Sequence, residues 1–211
     1  MRKYVSDAEL ASIKEELRAE FENQVRLSVL YKQIEYIESD GSCYIDTGFI
    51  PNQDSRVVAR FQHTANSTNE FLFGSRSSVS SNSFCFSNYT AGEYRTHYNN
   101  KYLDFSTTIS TLYFLDKNKN VTTINNGAGV ITHDYESFTC PAPLYLFCVN
   151  KNGTREDYAK CRLYEMQIYD NGTLVRDFVP VYHNIRMEYG LYDKLNDMFY
   201  PNAGSGTLTG A

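Results

Sequence analysis

The chain has 211 residues, 42% of them hydrophobic and 21% charged, with a formal net charge of −5. That composition describes an ordered globular protein, large enough for one sizeable sandwich or for one domain with a small appendage. The acidic balance, with no compensating Lys/Arg cluster, argues against a nucleic-acid binder that neutralises phosphates. No apolar run approaches the length of a membrane span.

Residues 1–33 predict a helix. Ser6-Asp7-Ala8-Glu9 matches a capping box, and no Gly or Pro follows until Gly41. Leu10, Ile13, Leu17, Phe21 and Val25 recur at spacings of three, four, four and four, which gives one apolar stripe. A strict heptad from Leu10 would put Glu20 and Gln24 in the seam, so the pattern is not a clean coiled coil. Six acidic and six basic residues balance in this segment, and the net charge belongs to the remainder. The stripe must be buried either on its own domain or against copies of the chain or a larger assembly, and these five residues are the candidate attachment or oligomerisation set. The basic residues at the start are not followed by an apolar h-region, so no secretory signal is expected. The chain is expected to be made and kept in the cytosol, or to leave the cell by a route that needs no signal, such as lysis.

From Gln33 onward the texture is all-β. Short runs such as "SRVVARFQ", "EFLFGSR", "SFCFSNY", "TLYFLD" and "TLVRDFVPVY" alternate with turn clusters. Asp170-Asn171-Gly172-Thr173 predicts a tight hairpin, with Asn152-Gly153 and Asn126-Gly127 as weaker versions. In "RLYEMQIYD", Tyr164, Met166 and Ile168 are predicted to face the core. "PLYLFCV", apolar on both faces, reads as a central strand. Many short strands at close spacing indicate a sandwich or barrel. The five cysteines (Cys43, Cys85, Cys140, Cys148, Cys161) are odd in number and contain no C-x-x-C pair, so they read as small buried apolar residues, not as a disulfide framework or zinc site. The sequons at Asn66, Asn88, Asn120, Asn152 and Asn171 read as turn chemistry.

Three blocks together carry a resemblance: Ile34 to Gln62 ("IEYIESDGSCYIDTGFIPNQDSRVVARFQ"), Phe71 to Arg76 ("FLFGSR"), and Ala159 to Gly210 ("AKCRLYEMQIYDNGTLVRDFVPVYHNIRMEYGLYDKLNDMFYPNAGSGTLTG"). In this order they resemble the concanavalin A-like, laminin-G-like jelly-roll domains of phage virion proteins and gut-bacterial surface proteins. The resemblance covers residues 34–211, although about 77–158 match only in texture. It implies an all-β, two-sheet antiparallel sandwich behind the N-terminal helix of residues 1–33, and a binding or structural role more often than catalysis. It implies that "YIDTGFIPN" is an early strand turning at Gly48 and Pro51 to feed "SRVVARF", holding the sandwich edge without touching a ligand.

The same fold hosts glycoside hydrolases, which need two carboxylates flanking the sugar bond. The one-strand pattern E-x-D-x-x-E is absent; Glu35, Glu38 and Asp40 are wrongly spaced, and adjacent Glu156 and Asp157 point to opposite faces if extended. His63, His97, His133 and His183 lie far apart, and no G-x-S-x-G, P-loop or G-x-G-x-x-G occurs. No cofactor is called for. Calcium is the one ion for which related modules use loop oxygens, and Asp116 with Asn118 and Asn120 is the weak candidate; a polar turn is the plainer reading.

A sugar surface is the remaining sharp expectation. "NYTAGEYRTHYNNKYLDF" offers Tyr89, Tyr94, Tyr98 and Tyr102 among hydrogen-bonding side chains. If residues 93–99 are extended, Tyr94 and Tyr98 share one face and Arg95, His97 and Asn99 the other. Tyr94, Arg95, His97, Tyr98 and Asn99 are the candidate carbohydrate contacts, set against the plainer reading that tyrosines on a sheet are packing. The leading expectation is a non-enzymatic virion module, in a tail or head fibre, made in the host cytoplasm and displayed on the virion surface. It would join other virion proteins through the helix, assemble as a homotrimer, and adhere to a bacterial surface glycan. The alternatives are a capsid or tail decoration protein that binds only virion proteins, a bacterial surface adhesin fragment, and a divergent glycanase.

Overall fold

The computed structural model describes residues 6–78, 81–90, 92–106, 108, 111–125 and 129–211. Helix α1 (Asp7–Leu30) leads into β1 (Tyr31–Gln33), β2 (Ile37–Asp40) and β3 (Ile45–Asp46). Then follow β4 (Arg56–His63), β5 (Glu70–Arg76), β6 (Ser83–Thr90), β7 (Glu93–Asn99) and β8 (Lys101–Ser106). The middle of the chain forms β9 (Tyr113–Asn118), β10 (Val121–Ile124), β11 (Gly129–Thr132), β12 (Tyr145–Leu146), β13 (Val149–Lys151) and β14 (Thr154–Glu156). The last strands are β15 (Lys160–Asp170), β16 (Thr173–His183), β17 (Glu188–Asp193), β18 (Met198–Pro201) and β19 (Thr209–Gly210).

Two sheets stack as a jelly-roll sandwich. The larger runs β11-β10-β9-β4-β15-β16-β17-β18, with β1 added to β16, β2 to β15 and β19 to β2. The smaller runs β14-β13-β5-β6-β7-β8, with β12 added to β5 and β3 to β12. Among the described residues every pairing is antiparallel except β13 with β5. Alternation drives the stacking: β4 buries Val57, Ala59, Phe61 and His63 and leaves the intervening residues half-exposed. Across the gap β6 supplies Phe84 and Phe86, and β7 supplies Tyr94 and Tyr98. Each fully buried Phe contributes about 2 kcal/mol by area removed from water.

The helix carries the predicted capping box, with Ser6 accepting from the Glu9 N–H and Glu9 accepting from Ser6. It ends at Leu30, short of the expected boundary, because residues 31–33 add a strand to β16 and the Tyr31 ring packs on His183 and Tyr192. The β15–β16 hairpin turns at Asn171 and Gly172 with φ 46° and 82°, the left-handed pair that an Asn-Gly turn supplies. Asn152-Gly153 does the same between β13 and β14, with φ 51° and 91°. Asn126-Gly127 lies outside the described residues. All five cysteines are buried and unbridged.

Two strand expectations need correction. Tyr164 is not in the core; Leu163 is, because the β15–β4 register shifts between Leu163 and Glu165 and exchanges the faces there, while Met166 and Ile168 point inward as expected. "PLYLFCV" is buried but is not one strand. Phe147 adopts φ 63° and breaks it into β12, antiparallel to β5, and β13, parallel to β5.

The resembling blocks at the two ends of the domain form one latch. Asp40 accepts from the Ser42 N–H (2.8 Å) and hydroxyl (2.7 Å) and from the Thr207 N–H (3.0 Å). Asn202 accepts from the Tyr44 and Gly204 N–H groups and donates to the Gly206 carbonyl (2.7 Å). The Glu35 and Tyr36 N–H groups donate to the Ala211 carbonyl. Gly204 and Gly206 press on Ser42 so closely that an added Cβ at either would collide with it. The turn residues of "ESDGSCYID" hold the chain ends together.

Candidate functional site

The outer face of the smaller sheet is built by register. Arg95 on β7 sits opposite Ser87 on β6 and Asp104 on β8, and His97 sits opposite Cys85 and Tyr102. Because these are direct cross-strand neighbours, their side chains meet. The Arg95 guanidinium lies 3.2 Å from the Tyr89 ring centre and 3.9 Å from that of Tyr102. The Asp104 carboxylate accepts from it twice, at 2.6 and 2.8 Å. Burial opposes the charge of Arg95, but the Asp104 bonds outweigh it and raise the guanidinium's pKa further.

Beside this stack Arg76 at the end of β5 is almost wholly buried, with its guanidinium over Phe71. It donates to Asp157 (3.1 Å) and Glu156 (3.4 Å), and its Nε has no protein partner. Glu156 and Asp157 therefore do not point to opposite faces as an extended chain would place them. Asp157, at φ 56°, turns the backbone so that both carboxylates reach one guanidinium. Burial pushes the Asp157 carboxyl up, in part against the pull of Arg76. His97 is buried between Phe71 and Tyr102 with Nδ1 unpaired. Burial first, and then the nearby charges of Arg76, Lys117, Arg95 and His133, pull its pKa down to about 3, so the ring is neutral at neutral pH.

These groups border a depression of about 200 Å³ lined by Asn69, Phe71, Arg76, Ser87, Tyr89, Arg95, His97 and Asp157. It offers an apolar floor, guanidinium donors, a carboxylate acceptor and a neutral imidazole, with the half-exposed Tyr102 ring beside it. Such a set can hydrogen-bond a polyhydroxylated molecule and stack against its apolar ring face.

The sequence-derived set divides here. Arg95 and His97 come together on the outer face. Tyr94 and Tyr98 lie in the inter-sheet core and present no ring surface to a ligand; the Tyr94 hydroxyl meets His63 Nδ1 at 3.3 Å and the Tyr98 hydroxyl donates to the Gln53 carbonyl at 3.1 Å. Asn99 occupies the β7–β8 turn at φ 53° and gives its amide to Glu136 at 2.6 Å. Sequence reasoning placed Tyr89 and Tyr102 in the right window without choosing them, and it missed Arg76 and Asp157, which come from distant segments.

The loop set Asp116, Asn118 and Asn120 does not fit a calcium ion. Both Asp116 oxygens are held by Arg56, at 2.7 and 2.8 Å. Lys119 lines the same hollow, and the Asn120 amide donates to the His133 carbonyl. Among the described residues no three His, Cys, Asp or Glu side chains gather as a metal site would require.

No family model matches the chain, and no curated protein matches it. Solved structures do. The chain is similar to the Ruminococcus gnavus IT-sialidase CBM40, solved with bound alpha2,3 sialyllactose, at 14% identity over 67% of this chain and 91% of that one, with a TM-score of 0.48. It is also similar to domains LG4-5 of the mouse laminin alpha1 chain, at 19% identity over 68% of this chain and 44% of that one, with a TM-score of 0.47. A NanB sialidase from Streptococcus pneumoniae matches at 11% identity over 83% of this chain and 39% of that one, with a TM-score of 0.41.

Proposed function

We propose that this protein is a non-enzymatic adhesion module that takes a bacterial surface glycan in the depression lined by Arg76, Tyr89, Arg95 and His97, against the neighbouring Tyr102 ring, on the outer face of its smaller sheet. The observation that carries the reading is the arginine stacked between Tyr89 and Tyr102 beside buried, incompletely paired polar groups. Packing alone does not require a charged group held between two rings at a surface hollow. The setting we propose is a phage virion, in a tail or head fibre, with the helix joining the module to other virion proteins; a bacterial cell surface is the alternative location. The sequence resemblance supports that setting. Shallow sites bind weakly one by one, so display in several copies would supply avidity.

The test is an array of bacterial surface polysaccharides probed with the full chain, with and without calcium, beside Tyr102→Ala. A hit lost in the variant supports the reading. Silence from a folded protein favours a decoration module that binds only other virion proteins. One observation favours a glycanase as the second reading: Glu156 and the upward-shifted Asp157 converge beside the same depression. Release of reducing ends from a bound polysaccharide, abolished in Asp157→Asn, would establish it.

A further inference from the structure

We propose that α1 binds other copies of itself in parallel, so that every sandwich in the assembly leaves the bundle at the same end. This does not depend on the groove, and it holds whether or not a sugar binds there.

The helix stripe extends beyond the set read from sequence. Leu10, Ile13, Leu17, Phe21, Val25 and Val29 are all exposed, Phe21 to 67%. The domain leaves the stripe uncovered, meeting the helix at its end through Asn184, which donates to the Val29 and Leu30 carbonyls. An apolar stripe about 30 Å long, from Leu10 to Val29, needs a cover.

The charges beside the stripe identify the cover. At about 100° per residue, Glu9, Glu16 and Glu20 fall along one flank of the stripe, while Lys14 and Arg18 fall along the other with one carboxylate, Glu22, which pairs with Arg18 at 3.0 Å and leaves Lys14 as that flank's unpaired cation among the described residues. In a parallel cyclic assembly the acidic flank of each helix faces the basic flank of the next. In an antiparallel pair each flank faces its own copy, and the three glutamates meet three glutamates, a repulsive arrangement. Glu9 and Lys14 lie on opposite flanks, five residues apart along the axis. Glu9 uses Oε2 in the capping box and keeps Oε1 for a neighbour. After Ile13 the stripe steps by fours, longer than the helical repeat, so the copies wind right-handed, not as a left-handed heptad coil. The helix passes into β1 without a linker residue, which fixes the direction in which each sandwich departs.

Light scattering and small-angle X-ray scattering on the full chain test this. The expected mass is a whole multiple of 24.2 kDa, and the expected shape has all bodies clustered at one end. A monomer at about 50 µM, well above working affinities for such assemblies, overturns the proposal, as does a dumbbell with bodies at both ends. Lys14→Glu should weaken association several-fold, and mixing it with Glu9→Lys should restore it. Leu17→Asp should give monomers whose sandwich melts unchanged; a variant that keeps the wild-type mass counts against the helix as the contact.

Discussion

Arg95 stands between Tyr89 and Tyr102, 3.2 Å from one ring centre and 3.9 Å from the other, with its charge fixed by Asp104. Tyr102 is the half-exposed member, so its ring is the face a sugar would meet. Tyr102→Ala is expected to weaken glycan binding about tenfold, the order of one lost stacking contact. Tyr94→Phe, which removes only a core hydroxyl, is expected to leave affinity unchanged. Titration calorimetry with a polysaccharide identified on the array compares the two; equal losses would place the ligand elsewhere.

Acid should loosen the sandwich through its buried histidines. Burial pulls the pKa of His63 to about 4, of His97 to about 3 and of His133 to about 4. Each ring binds fewer protons folded than unfolded, so stability falls as pH drops below about 6.5 and continues to fall toward the folded-state values. Urea midpoints measured at pH 7 and pH 5 should differ by the equivalent of a few kcal/mol, roughly 1.4 kcal/mol per pKa unit per group before relaxation. A flat profile over that interval would mean that water reaches these rings.

Lys117 on β9 makes a second pH dependence, of opposite reach. Its side chain is fully buried over the Phe84 ring and donates to Thr96 Oγ1 at 3.0 Å. Burial lowers its pKa to about 7. Between pH 7 and about 9 the unfolded chain holds this proton and the folded one sheds it, so stability rises with pH by about 2 kcal/mol. Above about pH 9 the cysteines reverse the trend, because burial raises their folded-state pKa values and the unfolded thiols ionise first. Lys117→Met should abolish the rise between pH 7 and 9 in chemical denaturation.

The latch between the domain's ends should be a stability element of its own. Although partial burial disfavours its charge, bonds from Thr207 and Ser42 hold Asp40 at a pKa of about 2. A depressed carboxylate stabilises above its unfolded pKa and loses that contribution as pH falls through about 4 toward 2. Because Asp40 is exposed, solvent screening limits Asp40→Asn to about 1 kcal/mol. Asn202→Ala, which removes an acceptor and a donor from the loop, should cost about 2 kcal/mol. Thermal melts of both variants, with glycan binding as the control, separate a structural latch from a ligand contact.

The fold was legible where the signal is local. The capping box, the Asn171-Gly172 turn and the alternation of β7 depend on neighbours in sequence, and each folds as read. The errors arose where distant segments decide. The face of Tyr164 depends on a bulge forced by β4, and the break at Phe147 depends on β5 accepting one strand antiparallel and the next parallel. The groove fails the same way. Alternation brought Arg95 and His97 together, but only the sheet order sets Arg76 and Asp157, about twenty and sixty residues away, beside them. Composition favoured tyrosines as ligand platforms, and the two most central rings, Tyr94 and Tyr98, pack the core.

The latch also makes the sandwich a closed circuit. Residue 34 and residue 211 stand side by side, bridged by the β2–β19 pairing and the bonds to the Ala211 carbonyl. A chain that enters and leaves at one point can be spliced into a surface loop of another protein without stretching the host, and its ends can be joined and reopened elsewhere. The Asn171-Gly172 hairpin, exposed and tight, is the natural place for new termini.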